Sequence, residues 1–167
     1  MQRKMQINIR PALQTDAESL NAGIKSVAAE KWFLATVDGF SLEQTRDFLQ
    51  RAIEKSLPLL VAVHGDEVVG WCDIMPLTVS GFAHVGRLGM GVRREWRGQG
   101  LGRDLLGDCL SRARGAGIEK VELEVYADNE AAVRLYQSFG FVREGLKARA
   151  RKFEGRYQDT VQMALWP

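Results

Sequence analysis

Three glycines alternate with other residues in Arg97-Gly98-Gln99-Gly100-Leu101-Gly102, between a strand-like run and an amphipathic helical pattern. A turn of this composition can aim several backbone N–H groups at one anion, and the helix that follows adds the positive end of its dipole. Glycine suits both demands, because a side chain would keep a phosphate from the backbone and the turn can require positive φ. Arg93, Arg94, Arg97 and Arg103 surround the segment with positive charge. The chemistry indicated is the binding of a phosphate-bearing ligand. No Gly-Lys-Ser/Thr follows, which excludes a Walker A loop. Position 103 is Arg, so G-x-G-x-x-G cannot be laid on Gly98 and Gly100, and a dinucleotide fingerprint is excluded too. The run before the turn, Leu88-Gly89-Met90-Gly91-Val92, puts Leu88, Met90 and Val92 on one face and leaves the other bare. Glycine inside a strand often marks the close approach of a ligand, here a linear one lying along the strand with its phosphates at the turn.

The elements that must position these residues can be read along the chain. Ile7 and Ile9 before Pro11 predict a first strand. Thr15 or Asp16 caps a helix reaching about Ala29. Ser41 with Gln44 forms a capping box for a second helix, whose inner stripe is Leu42, Thr45, Phe48, Leu49, Ala52 and Ile53. Leu59 to Val63 and Val68 to Met75 form a hairpin around His64-Gly65-Asp66-Glu67, and a third run covers Ala83 to Val92. Leu101 to Ala113 recurs at helical spacing and stops at Gly115 and Gly117. Val121, Leu123 and Val125 alternate with Glu122, Glu124 and Tyr126, as on a strand with two unlike faces. Asp128 caps a further helix with stripe Ala132, Leu135, Tyr136 and Phe139, and Phe141 to Trp166 forms two strands joined at Glu154-Gly155. This order predicts one α/β or α+β domain over residues 1–167.

Bulk composition agrees. Of 167 residues 46% are apolar and 26% charged, enough for a core and against disorder. A net charge of +2 does not suit a general nucleic-acid binder. Cys72 and Cys109 form no disulfide framework and no metal-spaced set, so no metal is expected. No long apolar run opens the chain, so neither a leader nor a membrane span is expected, and a cytoplasmic location follows by default.

The glycine turn resembles the acetyl-CoA motif Q/R-x-x-G-x-G/A of the GNAT N-acetyltransferase superfamily. Asn129 through Phe141, NEAAVRLYQSFGF, is similar to that family's N-x-x-A-x-x-L-Y-x-x-x-G-F block. The resemblance implies a mixed central sheet of about seven strands with about four helices, splayed between the fourth and fifth strands around an acetyl-CoA thioester. It implies that Arg97, Gly98, Gln99, Gly100, Leu101 and Gly102 hold the pyrophosphate through backbone N–H groups. The strand Met90-Gly91-Val92 would pair with the pantetheine arm, and Asn129 would contact that arm from the other side. Met90 N–H is the family-like donor to the oxyanion. Tyr136 matches the tyrosine that protonates the departing thiolate. Glu124, in Leu123-Glu124-Val125, resembles the base of ribosomal-protein N-terminal acetyltransferases, with Asp73 and Glu30 as further carboxylates. A base is needed because an alkyl amine, with a pKa of about 10, is mostly protonated at neutral pH.

The acceptor leaves fewer marks. The resemblance implies that Glu30, Trp32 and Phe33 form part of an acceptor wall, Trp32 and Phe33 lining an apolar pocket and Glu30 attracting a cationic amine. The tail hairpin resembles that of members acting on amino acids, which points to a small amine acceptor. A protein N-terminal amine is the enzymatic alternative, and a catalytically silent acyl-CoA-binding module the alternative of another class. Homodimers are common among similar enzymes, though no residue pattern here specifies one.

Overall fold

The computed structural model of the chain describes residues 6–167. The strands are β1 (Ile7–Pro11), β2 (Leu59–His64), β3 (Glu67–Pro76), β4 (Val85–Val92), β5 (Lys120–Tyr126), β6 (Val142–Phe153) and β7 (Arg156–Leu165). The helices are α1 (Ala17–Ala28), α2 (Leu42–Glu54), α3 (Leu101–Gly115) and α4 (Glu130–Ser138). The strands form one seven-stranded sheet in the order β1-β2-β3-β4-β5-β7-β6. All neighbours are antiparallel except β4 and β5. Those two pair only over Val85–Arg87 against Lys120–Glu122 and then part. The expected mixed sheet, four helices and splay are therefore present.

Alternation along the strands sends side chains into two cores. On one face Leu60, Val69, Ile74, Leu88, Val121 and Leu123 pack with Leu105, Leu106 and Cys109 of α3 and Tyr136 of α4. On the other Val61, Val63, Val68 and Trp71 pack with Leu20, Ile24 and Val27 of α1 and Leu49 of α2. The Ser41 capping box forms as expected: Gln44 N–H donates to Ser41 Oγ at 3.1 Å and Ser41 N–H to Gln44 Oε1 at 2.9 Å. Asn21, buried on α1, donates to the Phe40 carbonyl and to Thr45 Oγ1, which fixes α2 and the preceding loop on α1.

Three local expectations change. Asp16 does not cap α1 with its side chain; its carboxylate takes two hydrogen bonds from Arg10 and one from Leu13 N–H. Asn129, rather than Asp128, caps α4, accepting from Ala132 N–H, because Asp128 is drawn to Arg156 and Gln158 of β7. Ile53, expected on the inner stripe of α2, is 44% exposed, while Leu49 and Ala52 of the same stripe are buried against α1 and the sheet.

Candidate active site

The glycine turn lies where β4 hands over to α3. Gly98 and Gly100 have φ of +73° and +84°, and a Cβ at either would meet nothing within 4 Å. Their glycine is needed for backbone conformation and for approach from outside, not for internal packing. Gly100 is the N-cap of α3 and offers no side-chain cap. Among the described hydrogen bonds, no backbone acceptor takes the N–H groups from Gly98 through Arg103. This run of donors without backbone acceptors at a helix N-terminus suits a diphosphate. Arg97 N–H is not part of it, because it closes a short turn on the Arg94 carbonyl at 3.3 Å.

The arginine side chains around the turn are mostly committed elsewhere. Arg97 makes a two-pronged pair with Glu30, at 2.8 and 2.6 Å, donates from Nε to the Val92 carbonyl and stacks on Phe33. Arg93 donates to the Val68 carbonyl and pairs with Glu67, and Arg103 bonds Ser138. Glu30 is thereby unavailable to an acceptor amine. Trp32 packs edge-on against Phe153 of β6, under Arg151 and Arg156. Glu30, Trp32 and Phe33, expected as an acceptor wall, instead tie the loop after α1 to the glycine turn and to the β6–β7 hairpin. These partners are distant in the sequence, the farthest being Arg156 over Trp32, and no local pattern signals them.

Strand β4 presents two different surfaces. Arg93 N–H donates to the Val69 carbonyl, so alternation turns Gly89 and Gly91 toward β3 and the backbone of Met90 and Val92 toward the splay. Met90 N–H and C=O and Val92 N–H line that lip; the Val92 carbonyl already accepts from Arg97. The face expected to be bare is not. A Cβ at Gly91 would stand 2.4 Å from the Trp71 indole, so Trp71 fills that half. At Gly89 the neighbour is the Asp73 carboxylate, 3.2 Å from such a Cβ. A linear ligand is left the hydrogen-bonding edge of β4, not its face.

A cavity of about 910 Å³ opens between α1, α2 and the sheet. Ile24, Leu34, Phe48 and Trp71 give it apolar walls, Arg51 and Asp47 stand on α2, and Asp73, Gly89 and Met90 form its end against β4. Burial pushes the Asp73 carboxyl up to about 7. This residue was a minor sequence candidate; the signal for it was the glycine opposite, since Gly89 pairs with Asp73 across β3 and β4.

Tyr136 is 8% exposed and packs edge-on against Phe141. Burial, with a smaller contribution from Cys72, raises its phenol well above the ordinary value, so it carries its proton at neutral pH. Glu124 lies on the opposite lip of the splay, exposed and paired with Lys147 of β6. Asn129 lies at the start of α4 with its side-chain oxygen on the helix cap. Among the described residues no cluster of three or more His, Cys, Asp or Glu could hold a metal, and no helix is long and apolar enough to cross a membrane.

Comparison with known proteins places this geometry. The profile of the Acetyltransferase (GNAT) family matches residues 25–141. The N-alpha-acetyltransferase RimI of Mycobacterium tuberculosis is 42% identical over 96 residues, which is 51% of this chain and 59% of that protein. The L-amino acid N-acetyltransferase AaaT of Escherichia coli is 28% identical over 106 residues, 63% of this chain and 65% of its own. The matched stretch thus spans about three fifths of either relative's length. A crystal structure of a GNAT-family acetyltransferase from Streptococcus pneumoniae superposes with a TM-score of 0.90 at 29% identity, over 97% of this chain and all of that one.

Proposed function

The chain belongs to the GNAT acetyltransferase family, and from that premise we propose that it moves an acetyl group from acetyl-CoA to the primary amine of a small, amino-acid-like acceptor. The observation that carries the donor is the free run of N–H groups from Gly98 through Arg103 at the N-terminus of α3, with open space beside Gly98 and Gly100. It fits the pyrophosphate, and the unpaired edge at Met90 and Val92 fits the amide-bearing arm. Asn129, at the N-terminus of α4 just after β5, is the candidate to contact that arm from the other side.

Acetyl-CoA supplies an activated acyl carbon. The protein supplies position, hydrogen bonds and protons. Met90 N–H, directed into the splay, is the donor for the carbonyl oxygen as negative charge grows on it. The Tyr136 hydroxyl, protonated at neutral pH, gives its proton to the sulfur as the C–S bond breaks. A carboxylate must take a proton from the nitrogen, and the candidates are Glu124 on β5 and Asp73 on β3, which lines the cavity beside Met90.

A cavity of about 910 Å³ with one face apolar and carboxylates and Arg51 at its margins suits a zwitterion with an apolar side chain. The amino-acid acetylating relative supports the same class of acceptor. The RimI relative supports a second reading, in which the acceptor is a protein N-terminus. The two separate in one acceptor panel. Free amino acids should be acetylated with a kcat/KM at least about tenfold above that of peptides bearing the same N-terminal residue. The reverse order would assign the chain to N-terminal acetylation.

A further inference from the structure

Two candidate carboxylates stand on the strands to either side of β4, Asp73 on β3 and Glu124 on β5, and their surroundings differ. Glu124 is exposed and held by Lys147. Asp73 stands at the end of the cavity beside Met90, and among the described residues nothing donates a hydrogen bond to it or pairs with it. Its neighbours across the cavity are Trp71, Ile24, Leu34 and Phe48. The absence of a side chain at Gly89 leaves the carboxylate uncovered, since even a Cβ there would stand 3.2 Å from Oδ2. An uncompensated carboxylate among apolar walls is costly unless a cation or a proton comes to it. Among the described residues, the other charged groups lining the cavity are Asp47 and Arg51 of α2; α1, the loop after it and β4 contribute uncharged residues such as Ile24, Leu34, Thr36 and Met90.

We infer that Asp73 is the group that takes the proton from the acceptor's nitrogen, and that the acceptor reaches it through the cavity between α1, α2 and the sheet. This rests on the acetyltransferase reading above. In the step, Asp73 accepts one proton from the ammonium and passes it to solvent. The nitrogen lone pair forms the N–C bond, the C–S bond breaks with its electron pair going to sulfur, and Tyr136 protonates the sulfur. The second proton lost by nitrogen leaves to solvent, from which Tyr136 is reprotonated. A carboxyl near neutrality is matched to this work in a way that an ordinary carboxylate is not.

The test uses Asp73→Asn, Glu124→Gln and Gly89→Ala in the full chain, with CoA affinity measured by calorimetry and turnover by release of free CoA thiol. Asp73→Asn should lower kcat/KM for the amine about 100-fold at pH 7 while leaving CoA affinity within about twofold. The deficit should shrink at pH 9 and with trifluoroethylamine, which is largely unprotonated at neutral pH. Gly89→Ala covers the carboxylate without removing it, and should raise KM for the amine; it serves if Asp73→Asn does not fold. A loss of less than about threefold in Asp73→Asn, or a larger loss in Glu124→Gln, would overturn the assignment. If the unaltered protein turned over no amine, the acetyltransferase reading itself would fail. Asp73 would then be judged by the calorimetric heat of alkylammonium binding to the CoA-loaded protein. Loss of that heat in Asp73→Asn supports the site, and its retention refutes it.

Discussion

The proposed role of Asp73 carries a consequence for stability through the same proton. The Asp73 carboxyl, ordinarily near 3.8, is raised by burial to about 7, so the folded chain holds this proton in a window where the unfolded chain has released it. The folded state therefore loses stability as pH rises from about 4 to 7, and the deficit is full above that window. Asp73→Asn removes the burden. Its melting temperature should exceed that of the unaltered protein at pH 8, and the difference should close toward pH 4. Thermal unfolding followed across pH checks this, and an Asn variant that is less stable at pH 8 would contradict it. Tyr136 makes the complementary case. Its phenol keeps its proton at neutral pH, so Tyr136→Phe should cost about 10- to 100-fold in kcat with CoA affinity little changed, as steady-state kinetics would show. An unchanged kcat would make the residue a packing aromatic against Phe141.

At the scale of elements, the turn between β4 and α3 separates binding from folding. Gly98→Ala and Gly100→Ala meet no internal neighbour, so each should cost only the strain of a left-handed Ala, about 1–2 kcal/mol. Each also places a methyl group on the approach to the N–H run, and CoA affinity should fall about tenfold or more by calorimetry. Unchanged affinity would remove the turn from the donor site. This turn, the Ser41 cap and the α4 block were legible in the sequence because their signals are local: glycine spacing, a capping pair, a stripe at helical period. The misread residues depend on distant partners. Glu30 was a plausible attractor for an amine until Arg97, 67 positions on, closed on it. Asp128 was a sound cap until Arg156 claimed it. The bare strand face was a fair inference from Gly89 and Gly91, but only the register of β3 against β4 shows that Trp71 fills one half and Asp73 looks out over the other.

Across the whole molecule, the sheet is divided in function. Strands β1 to β4 carry α1, α2 and the cavity, β5 to β7 carry the far lip, and the two groups meet through a short parallel pairing that ends at Arg87 and Glu122. A sequence predicts such an opening only through likeness to known sheets, since nothing in the composition of β4 or β5 forbids their pairing further. In the proposed reading the donor, acceptor and proton-transfer groups serve one gap: the N–H run at the start of α3, Met90 on the β4 edge, Tyr136 of α4 and Asp73 of β3. The central claim is that this gap transfers acetyl groups. The direct measurement is release of free CoA thiol from acetyl-CoA as a function of amine concentration, with the product identified by mass. Saturable, amine-dependent release matched one for one by N-acetylated acceptor is the predicted result. Tight acetyl-CoA binding with no amine-dependent release, across amino acids, simple amines and peptides, would contradict it and leave the chain an acyl-CoA-binding module.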